Sequence, residues 1–337
     1  MKFCFLLGIT IAVVLVGFTA NSFAQEKYIV AQDGSGQFKT IQEAIDALPE
    51  SAISYRTIHI KKGIYKEKIF ITKNFIRLSG EDKSTVQIIS SQSRDSWRCD
   101  HPDDWGVATI NLKADDICLE NLTIINNYGF ENKETISITC AADTGSKIRS
   151  VRRDGHQMAL RSFATTRMIV VNCVFRAFGG DTVSPWNDTA GMYYFKDCRM
   201  EGGVDFYCPR GWAYAEDCEF VAHTGTAAVW HDGSKNKSSK TVFKNCSFSG
   251  YKGFKLARYH RDAQFFFVDC SFSADMSDTD IYMVPTSNII QWGRRVYFYN
   301  CHRTGGDFTW HSDNLRSYDA SLGANAITAS WAFDGKW

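Results

Sequence analysis

The chain has 337 residues, with 38 Lys plus Arg against 37 Asp plus Glu, and a formal net charge of +1. Nucleic-acid binding usually requires a strongly basic face, so this balance argues against DNA or RNA as a partner. The length is large for one compact core but ordinary for an elongated repeat, and it does not require two domains.

Residues 1–24 predict a secretory signal peptide. Lys2 precedes an apolar run from Phe3 to Phe18, and small and polar residues follow up to Ala24. The run is shorter than the roughly 20 residues that span a bilayer, which disfavours a membrane anchor. We expect cleavage after Ala24, one domain over residues 25–337, a secreted or periplasmic location and no membrane association afterwards.

Near the mature start, the segment FKTIQEAIDALPE predicts one amphipathic helix. Thr40 and Glu43 have the spacing of a capping box, and Pro49 ends the pattern. The apolar face consists of Ile41, Ala44, Ile45 and Leu48. We expect this helix to cover one end of the fold. The C-terminal ANAITASWAFDGKW is expected to pack along or over the other end.

Six cysteines recur in one local pattern, which is Asn or Asp, then Cys, with an apolar residue usually two positions after the cysteine. They are Cys173, Cys198, Cys218, Cys246, Cys270 and Cys301. Their unequal intervals, roughly 20 to 30 residues each, fall in the range of solenoid repeats. Short β-branched and aromatic runs accompany them, and no helical period of useful length intervenes. The pattern predicts an all-β parallel β-helix with one coil per repeat.

The repeat also suggests what the cysteines do. Equivalent positions of a β-helix stack about 4.8 Å apart, so the cysteines are expected to form an inward column of free thiols, with the preceding Asn and Asp at a corner. Disulfides are the alternative in an exported protein. Cys99 and Cys208 lie outside the repeat and are the better candidates for a bridge, although nothing indicates that they meet. Residues 90–106, SSQSRDSWRCDHPDDWG, predict a projecting loop that borders a groove or has no catalytic role.

Three polar residues are equally spaced along the chain, about one coil apart. They are Gln157, Asp181 and Asp205, and both aspartates follow a glycine pair. We expect them to form a ladder on successive coils. Two neighbouring carboxylates do not both ionise easily, so one can serve as an acid and the other as a nucleophile. From these residues alone, a calcium-binding or merely solvated pair is equally open.

Six motifs in order resemble those of the pectin methylesterase (pectinesterase) family. They are VAQDGSGQFKTIQEAI (30–45), GIYKEKI (63–69), GHQMALR (155–161), GDTV (180–183), VDFYCPRG (204–211) and LARYH (256–260). The resemblance covers roughly residues 28–302. It implies a right-handed parallel β-helix and the metal-free hydrolysis of galacturonate C6 methyl esters in pectin.

The resemblance also implies roles for individual residues. Asp205 matches the nucleophile of the family's Asp-Phe-Ile-Phe-Gly motif, and Asp181 matches the acid and base of Gln-Asp-Thr-Leu. Gln157 would donate a hydrogen bond to the oxyanion, and Arg258 would keep Asp205 ionised and oriented.

Three departures from the family concern the surroundings of these residues. Gly180 stands in place of a glutamine; DFYCPRG delays the motif's glycine and introduces Tyr207 and Cys208; LARYH has Tyr259 and His260 in place of Pro and Trp. We predict a sugar-stacking surface from Tyr207, Trp186, Tyr259, His260 and Trp212, together with Trp230. Arg152 and Arg153 are candidates to meet galacturonate carboxylates, or form a solvated basic turn.

The sequence thus predicts a monomeric pectinesterase without cofactor or metal that acts on methyl-esterified homogalacturonan. His156, His223 and His231 are not spaced as metal ligands. Two alternatives remain, namely a calcium-dependent pectate lyase and a non-catalytic glycan-binding solenoid. A polygalacturonase is disfavoured because GGDT lacks paired aspartates.

Overall fold

The computed structural model describes residues 28–140 and 148–337. The predicted signal peptide and its cleavage site lie outside the described residues. Short strands make up most of the regular secondary structure of the described chain, because β-branched and aromatic residues alternate with turn residues.

The strands are β1 (Tyr28–Val30), β2 (Arg56–Ile60), β3 (Gly63–Tyr65), β4 (Ile69–Ile71), β5 (Ile76–Gly80), β6 (Val86–Ser90), β7 (Ile110–Leu112), β8 (Ile117–Glu120), β9 (Thr123–Asn126), β10 (Ile136–Thr139), β11 (Ile148–Val151), β12 (Leu160–Ser162), β13 (Met168–Val171), β14 (Val174–Ala177), β15 (Val183–Ser184), β16 (Met192–Lys196), β17 (Arg199–Gly202), β18 (Trp212–Glu216), β19 (Glu219–Ala222), β20 (Ala227–His231), β21 (Thr241–Lys244), β22 (Ser247–Gly250), β23 (Lys255–Tyr259), β24 (Phe265–Val268), β25 (Ser271–Phe272), β26 (Tyr282–Met283), β27 (Val296–Tyr299) and β28 (His302–Arg303). The α-helices are α1 (Ile41–Asp46), α2 (Arg94–Asp100), α3 (Tyr128–Glu131) and α4 (Ala329–Ala332), and short 3₁₀ turns span Thr309–His311, Leu315–Ser317 and Ala324–Ala326.

The strands stack into parallel sheets, as a β-helix requires. One sheet has ten strands and a second has nine; the third consists of a four-stranded and a three-stranded part. Isolated bridges from Tyr207 to Val183 and to Val229 connect these two parts. The pair β10 and β11 is antiparallel and forms a separate hairpin. The predicted parallel β-helix is confirmed.

The register of the ten-stranded sheet reproduces the cysteine spacing. Met168 lies opposite Tyr193, and this step along the chain equals the step from Cys173 to Cys198. The following strand pairs, from β16 with β18 to β24 with β27, repeat the remaining cysteine intervals in the same order. Each cysteine interval is therefore the length of one coil.

The residue before each repeat cysteine forms a tight corner. Its backbone lies in the left-handed region, with φ between 49° and 55° at Asn172, Asp197, Asp217, Asn245, Asp269 and Asn300. Asn and Asp tolerate this conformation better than other residues with a side chain. Some of these side chains form hydrogen bonds with the corner residue of the preceding coil. Asn172 Nδ2 donates to Asn121 Oδ1 at 2.8 Å, and Asn245 Nδ2 donates to Asp217 Oδ1 at 2.6 Å. We call these turns the Asn/Asp corners.

The six repeat cysteines are free and at most 4% exposed. They line the interior beside stacked aromatic rings such as Phe243 and Phe267, whose centroids are 4.8 Å apart. Burial raises the pKa of the Cys173 thiol to about 12. The predicted column of buried thiols is confirmed, and at neutral pH Cys173 acts as a small apolar core residue.

Helix α1 begins at the predicted capping box. Thr40 accepts from the Glu43 backbone N–H, and Glu43 accepts in turn from the Thr40 backbone N–H. The helix ends at Asp46, earlier than the apolar pattern suggested, while Leu48 beyond it is still buried. It packs against β1, β2 and β4 at the start of the solenoid.

Residues 90–106 form a loop that contains α2, and a disulfide fixes it. Cys99 is bonded to Cys140, so the prediction that Cys99 and Cys208 are the candidates for a bridge is wrong for Cys208, which is a free buried thiol. Cys140 is 41 residues from Cys99, and only the fold brings the two together. Sequence spacing gave no sign of this contact.

The C-terminal segment packs along the solenoid. Ile327, Ala332 and Phe333 are buried against the outer face of the ten-stranded sheet, at Trp212, Tyr214 and Phe266. The first of the two predicted placements is therefore observed. In the described ranges no helix has the length and apolarity needed to cross a membrane.

Candidate active site

Asp181 and Asp205 lie on successive coils of the third sheet. The bridge between Val183 and Tyr207 fixes the register, because each of these residues follows its aspartate by two positions. Both aspartates have a left-handed backbone, with φ of 58° and 55°, and are 8% and 6% exposed. The structure thus stacks the two carboxylates as predicted.

Arg258 holds Asp205 with two hydrogen bonds. It projects from β23, where Trp230 of β20 and Tyr282 of β26 are its neighbours in the sheet. Arg258 Nε donates to Oδ1 of Asp205 at 2.9 Å and Nη2 donates to Oδ2 at 2.5 Å. The Trp230 ring lies 5.0 Å from the guanidinium carbon. This bidentate geometry fixes the direction of the carboxylate.

Burial raises the pKa of Asp205 above its ordinary value, and the nearby carboxylate of Asp181 adds to this. The hydrogen bonds and charge of Arg258 oppose the rise, as does His156 more weakly. A buried carboxylate with one cationic partner retains basicity, which a nucleophile needs, while the guanidinium favours its charged form.

A cavity of about 380 Å³ surrounds these groups. Its lining includes Arg94, His156, Asp181, Asp205 and Arg258. A larger cleft of about 810 Å³ shares Trp186, Arg210 and Asp232 with it, and a cleft of about 430 Å³ on the other side shares Arg94 and His156. The carboxylates therefore lie in the middle of one continuous groove.

Two arginines flank Trp186 in this groove. The guanidinium carbons of Arg161 and Arg210 lie 4.8 and 4.4 Å from its ring. Both donate to Ser184 Oγ, at 2.6 and 2.7 Å. The arrangement holds the indole ring rigidly at the edge of the cavity.

The loop of residues 90–106 supplies charge to the same cavity. Asp104 accepts from Arg94 and Arg98 and lies 3.5 Å from Arg161. Burial by itself raises the pKa of Asp104, but hydrogen bonds from Arg98 and Arg94 bring it below its ordinary value. The structure thus supports the first of the two alternatives for this loop, since it borders the groove.

Gln157 does not reach the cavity. Its side chain is fully buried; Oε1 accepts from the Gly129 N–H at 3.0 Å, and Nε2 donates to the Arg153 carbonyl. Both ends of the Gln157 amide are therefore bonded to backbone groups. Of the three residues in the predicted ladder, only the two aspartates line the cavity. The bridge between His156 and Gly180 places Gln157 level with Asp181, so the predicted spacing is correct, and Gln157 is absent from the cavity because its side chain is buried in the interior.

His156, the preceding residue, lies in the cavity in its place. It forms an isolated bridge with Gly180, whereas Leu160 pairs with Val183, so the register between the two coils shifts by one position within this stretch. The N–H groups of Ala159 and Leu160 both donate to the Thr182 carbonyl, so the extra residue is absorbed between these points. Coil-length spacing alone cannot resolve which of two adjacent residues points outward.

The predicted sugar-stacking residues divide into two groups. Trp186 and Trp230 line the central cavity and His260 lines the larger cleft. The other three are packed elsewhere. Tyr207 is fully buried among Phe195, Phe220 and Phe243; Trp212 is 2% exposed beneath the C-terminal segment; Tyr259 is 8% exposed and packs on Phe265. The prediction that these three bind sugar is wrong because their rings complete apolar clusters.

The two candidate basic residues also differ. Arg152 lines the smaller cleft and pairs with Asp154 at 2.6 Å. Arg153 lies over the Phe178 ring at 3.7 Å and donates to the Gly129 carbonyl. Arg152 is thus available to a ligand in the groove, whereas Arg153 stabilises the local fold.

Across residues 28–140 and 148–337, no three His, Cys, Asp or Glu side chains are grouped so that they could hold a metal ion. His231 is buried, and burial lowers its pKa to about 4. His223 lies 3.5 Å from Glu201.

The chain is similar to known pectinesterases in sequence and in fold. Residues 27–177 match the Pectinesterase family model. The chain is 27% identical to a probable pectinesterase/pectinesterase inhibitor of Arabidopsis thaliana over 230 residues, which cover 66% of this chain and 35% of that protein. It is 27% identical to a pectinesterase of Petunia integrifolia, with 59% and 46% covered. The chain thus spans less than half the length of these two relatives.

Solved structures match over more of the chain. Pectin methylesterase PemA from Erwinia chrysanthemi superimposes with a TM-score of 0.70 at 22% identity, covering 92% of this chain and 97% of that one. A pectin methylesterase in complex with a hexasaccharide gives the same TM-score and coverage at 23% identity. At this identity the likeness establishes the parallel β-helix fold. The family match over residues 27–177 and these structures together show that the chain is similar to pectinesterases with this fold.

Proposed function

We propose that the protein is a pectin methylesterase that hydrolyses galacturonate C6 methyl esters to methanol and pectate. The observation that carries this proposal is the pairing of two stacked aspartates in one cavity, only one of which is clamped by an arginine. Asp205 receives both hydrogen bonds from Arg258, and Asp181 shares the cavity without that clamp. Such different surroundings separate the roles of two carboxyl groups.

The proposed reaction uses Asp205 as the nucleophile. Its carboxylate oxygen attacks the ester carbonyl carbon, and the carbonyl electron pair moves to the oxygen. When the intermediate collapses, the bond to methoxide breaks and Asp181 protonates the departing oxygen, which leaves methanol and an acyl-enzyme anhydride. Asp181 then takes a proton from water as the water attacks the acyl carbon, and Asp205 is released as a carboxylate.

The groove supports a polymeric substrate. Clefts continue the central cavity on both sides, so sugar units before and after the reacting one have room. Trp186 and Trp230 offer aromatic surface beside the carboxylates, and His260 lies further along. Arg152 in the smaller cleft is a candidate partner for a free galacturonate carboxylate. We propose methyl-esterified homogalacturonan as the substrate and no cofactor.

We also propose that the chain is exported, with residues 1–24 removed, and acts as a monomer in the periplasm or outside the cell. The Cys99–Cys140 disulfide supports an oxidising compartment. Intact-mass analysis of the exported protein tests the cleavage; a mature chain that retains residues before Gln25 contradicts it. Light scattering of the purified protein tests the monomer.

One assay separates the proposal from its rivals. The mature protein is incubated with methylated pectin and a chelator, and methanol and ultraviolet absorbance are measured, alongside Asp205→Ala and Asp181→Ala. Methanol release well above both variants is the expected result. Release no greater than theirs refutes esterase activity on this substrate. Chelator-sensitive ultraviolet absorbance indicates a calcium-dependent lyase, and binding without turnover indicates a glycan-binding solenoid.

A further inference from the structure

His156 lies beside the two aspartates, although Gln157, and not His156, is the residue that matches the family motif. We infer that His156 supplies the hydrogen-bond donor that stabilises the ester oxyanion, in place of the buried Gln157. This inference rests on the proposed esterase function and adds a substrate-contacting residue to it.

The contacts of His156 with Arg94 fix which ring nitrogen carries the proton. Arg94 Nη1 lies 3.3 Å from Nδ1 of His156, and the Arg94 backbone N–H donates to the His156 carbonyl at 2.9 Å. Asp104 in turn anchors the Arg94 Nε at 3.0 Å. A guanidinium can only donate, so Nδ1 accepts and the proton of the neutral ring lies on Nε2.

The Nε2–H group faces the reacting carboxylates. Nε2 lies 3.9 Å from Oδ1 of Asp181, which is longer than a hydrogen bond. The side chain is 39% exposed, so a substrate in the groove can reach it. Because no hydrogen bond to Asp181 engages Nε2, this donor can bond to a substrate oxygen.

The shape of the neighbouring coil explains why the donor comes from position 156. A Cβ built on Gly180 would lie 2.5 Å from the Val204 carbonyl oxygen and 3.0 Å from Cδ2 of His156. A side chain at position 180 would therefore collide with backbone and with the imidazole. Gly180 therefore leaves free the space beside which the imidazole of His156 lies.

In the proposed step, Asp205 attacks the carbonyl carbon and negative charge develops on the carbonyl oxygen. The Nε2–H donates a hydrogen bond to that oxygen and keeps its proton. Such a donor contributes mainly in the transition state, so its loss should lower kcat far more than it changes KM.

The kinetic test compares His156→Ala with His156→Gln. We expect the alanine variant to lose about 10²–10³-fold in kcat, with KM within about threefold of wild type. Glutamine supplies an amide donor and should recover at least about tenfold over alanine. His59→Ala, which changes an exposed histidine on β2, is the matched control and should leave the kinetics unchanged. An alanine variant with wild-type kcat overturns the inference while the esterase proposal stands.

A second test does not depend on turnover. Nitrogen-15 NMR of protein labelled at histidine reports which ring nitrogen of His156 is protonated. We expect Nε2–H at neutral pH in wild type and a mixture of tautomers in Arg94→Ala. A proton on Nδ1 overturns the inference whether or not methanol is released. A wild-type protein that releases no more methanol than Asp205→Ala refutes the proposed function instead.

Discussion

Aspartates with a left-handed backbone conformation occur in two regions of the chain, and the surroundings of their carboxylates differ between the two. At the Asn/Asp corners, residues such as Asp217 and Asp269 accept hydrogen bonds from asparagines one coil away. At the candidate active site, Asp181 and Asp205 have the same backbone conformation but lie buried in a groove. The backbone conformation suits the residue type in both places, and the chemistry depends on what surrounds the carboxylate.

The largest expected difference between the regions comes from removing one carboxylate. Asp205→Asn should lower methanol release at least about 10⁴-fold, because an amide cannot replace the nucleophile. Asp217→Asn keeps an oxygen that can accept from Asn245 and should change activity less than about twofold. Steady-state methanol assays on both variants check this. Equal losses of activity in the two variants would show that Asp205 and Asp217 do not differ in chemical role.

A second comparison uses two bidentate pairs. Arg258→Ala leaves Asp205 buried without its cation, and kcat/KM should fall by about 10²–10³-fold. Removing the cation raises the pKa of Asp205 further, so the acid limb of the pH profile should move to higher pH.

The control is Arg167→Ala. Arg167 holds Asp116 with Nε and Nη2 both at 2.7 Å, outside the cavities that contain the candidate site. Because the side chain is 35% exposed, the loss should be about 1 kcal/mol of unfolding free energy, with unchanged kinetics. A pH profile that moves equally in both variants would contradict the assignment of Arg258.

The region under the groove should also be more sensitive to acid than the corners. His231 is fully buried, and burial lowers its pKa from 6.5 to about 4. As the pH falls, His231 is therefore protonated in the unfolded chain before it is protonated in the folded protein. The contribution of neutral His231 to the free energy of unfolding is present above pH 6.5 and is lost as the pH falls toward 4. The loss should amount to at most about 3 kcal/mol. Denaturant unfolding of wild type and His231→Gln, repeated across this pH range, measures the free energy of unfolding and checks the prediction. If this free energy changes with pH equally in the two proteins, the assignment to His231 is refuted.

The smallest effect concerns the backbone of one corner. Asn172→Ala places an ordinary residue at φ 52° and removes the bond to Asn121, which should cost about 1–2 kcal/mol of unfolding free energy. Asn172→Gly keeps the conformation accessible and should cost less. Thermal or denaturant unfolding distinguishes them. A glycine variant less stable than the alanine variant would show that φ does not determine the choice of residue.

Much of the fold follows from the sequence because the corners repeat. Asn172 and Cys173, with their five counterparts, mark a left-handed residue followed by a buried one, and this fixes strand order and coil length. The pairing of Cys99 with Cys140 was not predictable, because it joins a loop to a segment outside the repeat.

The candidate site was predictable in part for a similar reason. Asp181 and Asp205 fall at equivalent positions of successive coils, so their spacing was informative. His156 was missed because the spacing selects Gln157, which does lie level with Asp181 but has its amide bonded to the Gly129 and Arg153 backbone. Tyr207 was misassigned since an aromatic ring suits a sugar site and an apolar core equally well.

From Asn121 to Cys301, each corner between the ten-stranded and nine-stranded sheets contains two residues, whatever the length of the coil. All variation in coil length, which the unequal strand offsets record, is accommodated elsewhere in the coil, including the turns that carry the groove. Insertions and deletions on that side can therefore reshape the binding surface without shifting the strands. Because the corners keep a constant length while the turns around the groove vary, substrate specificity can change by exchange of these turns.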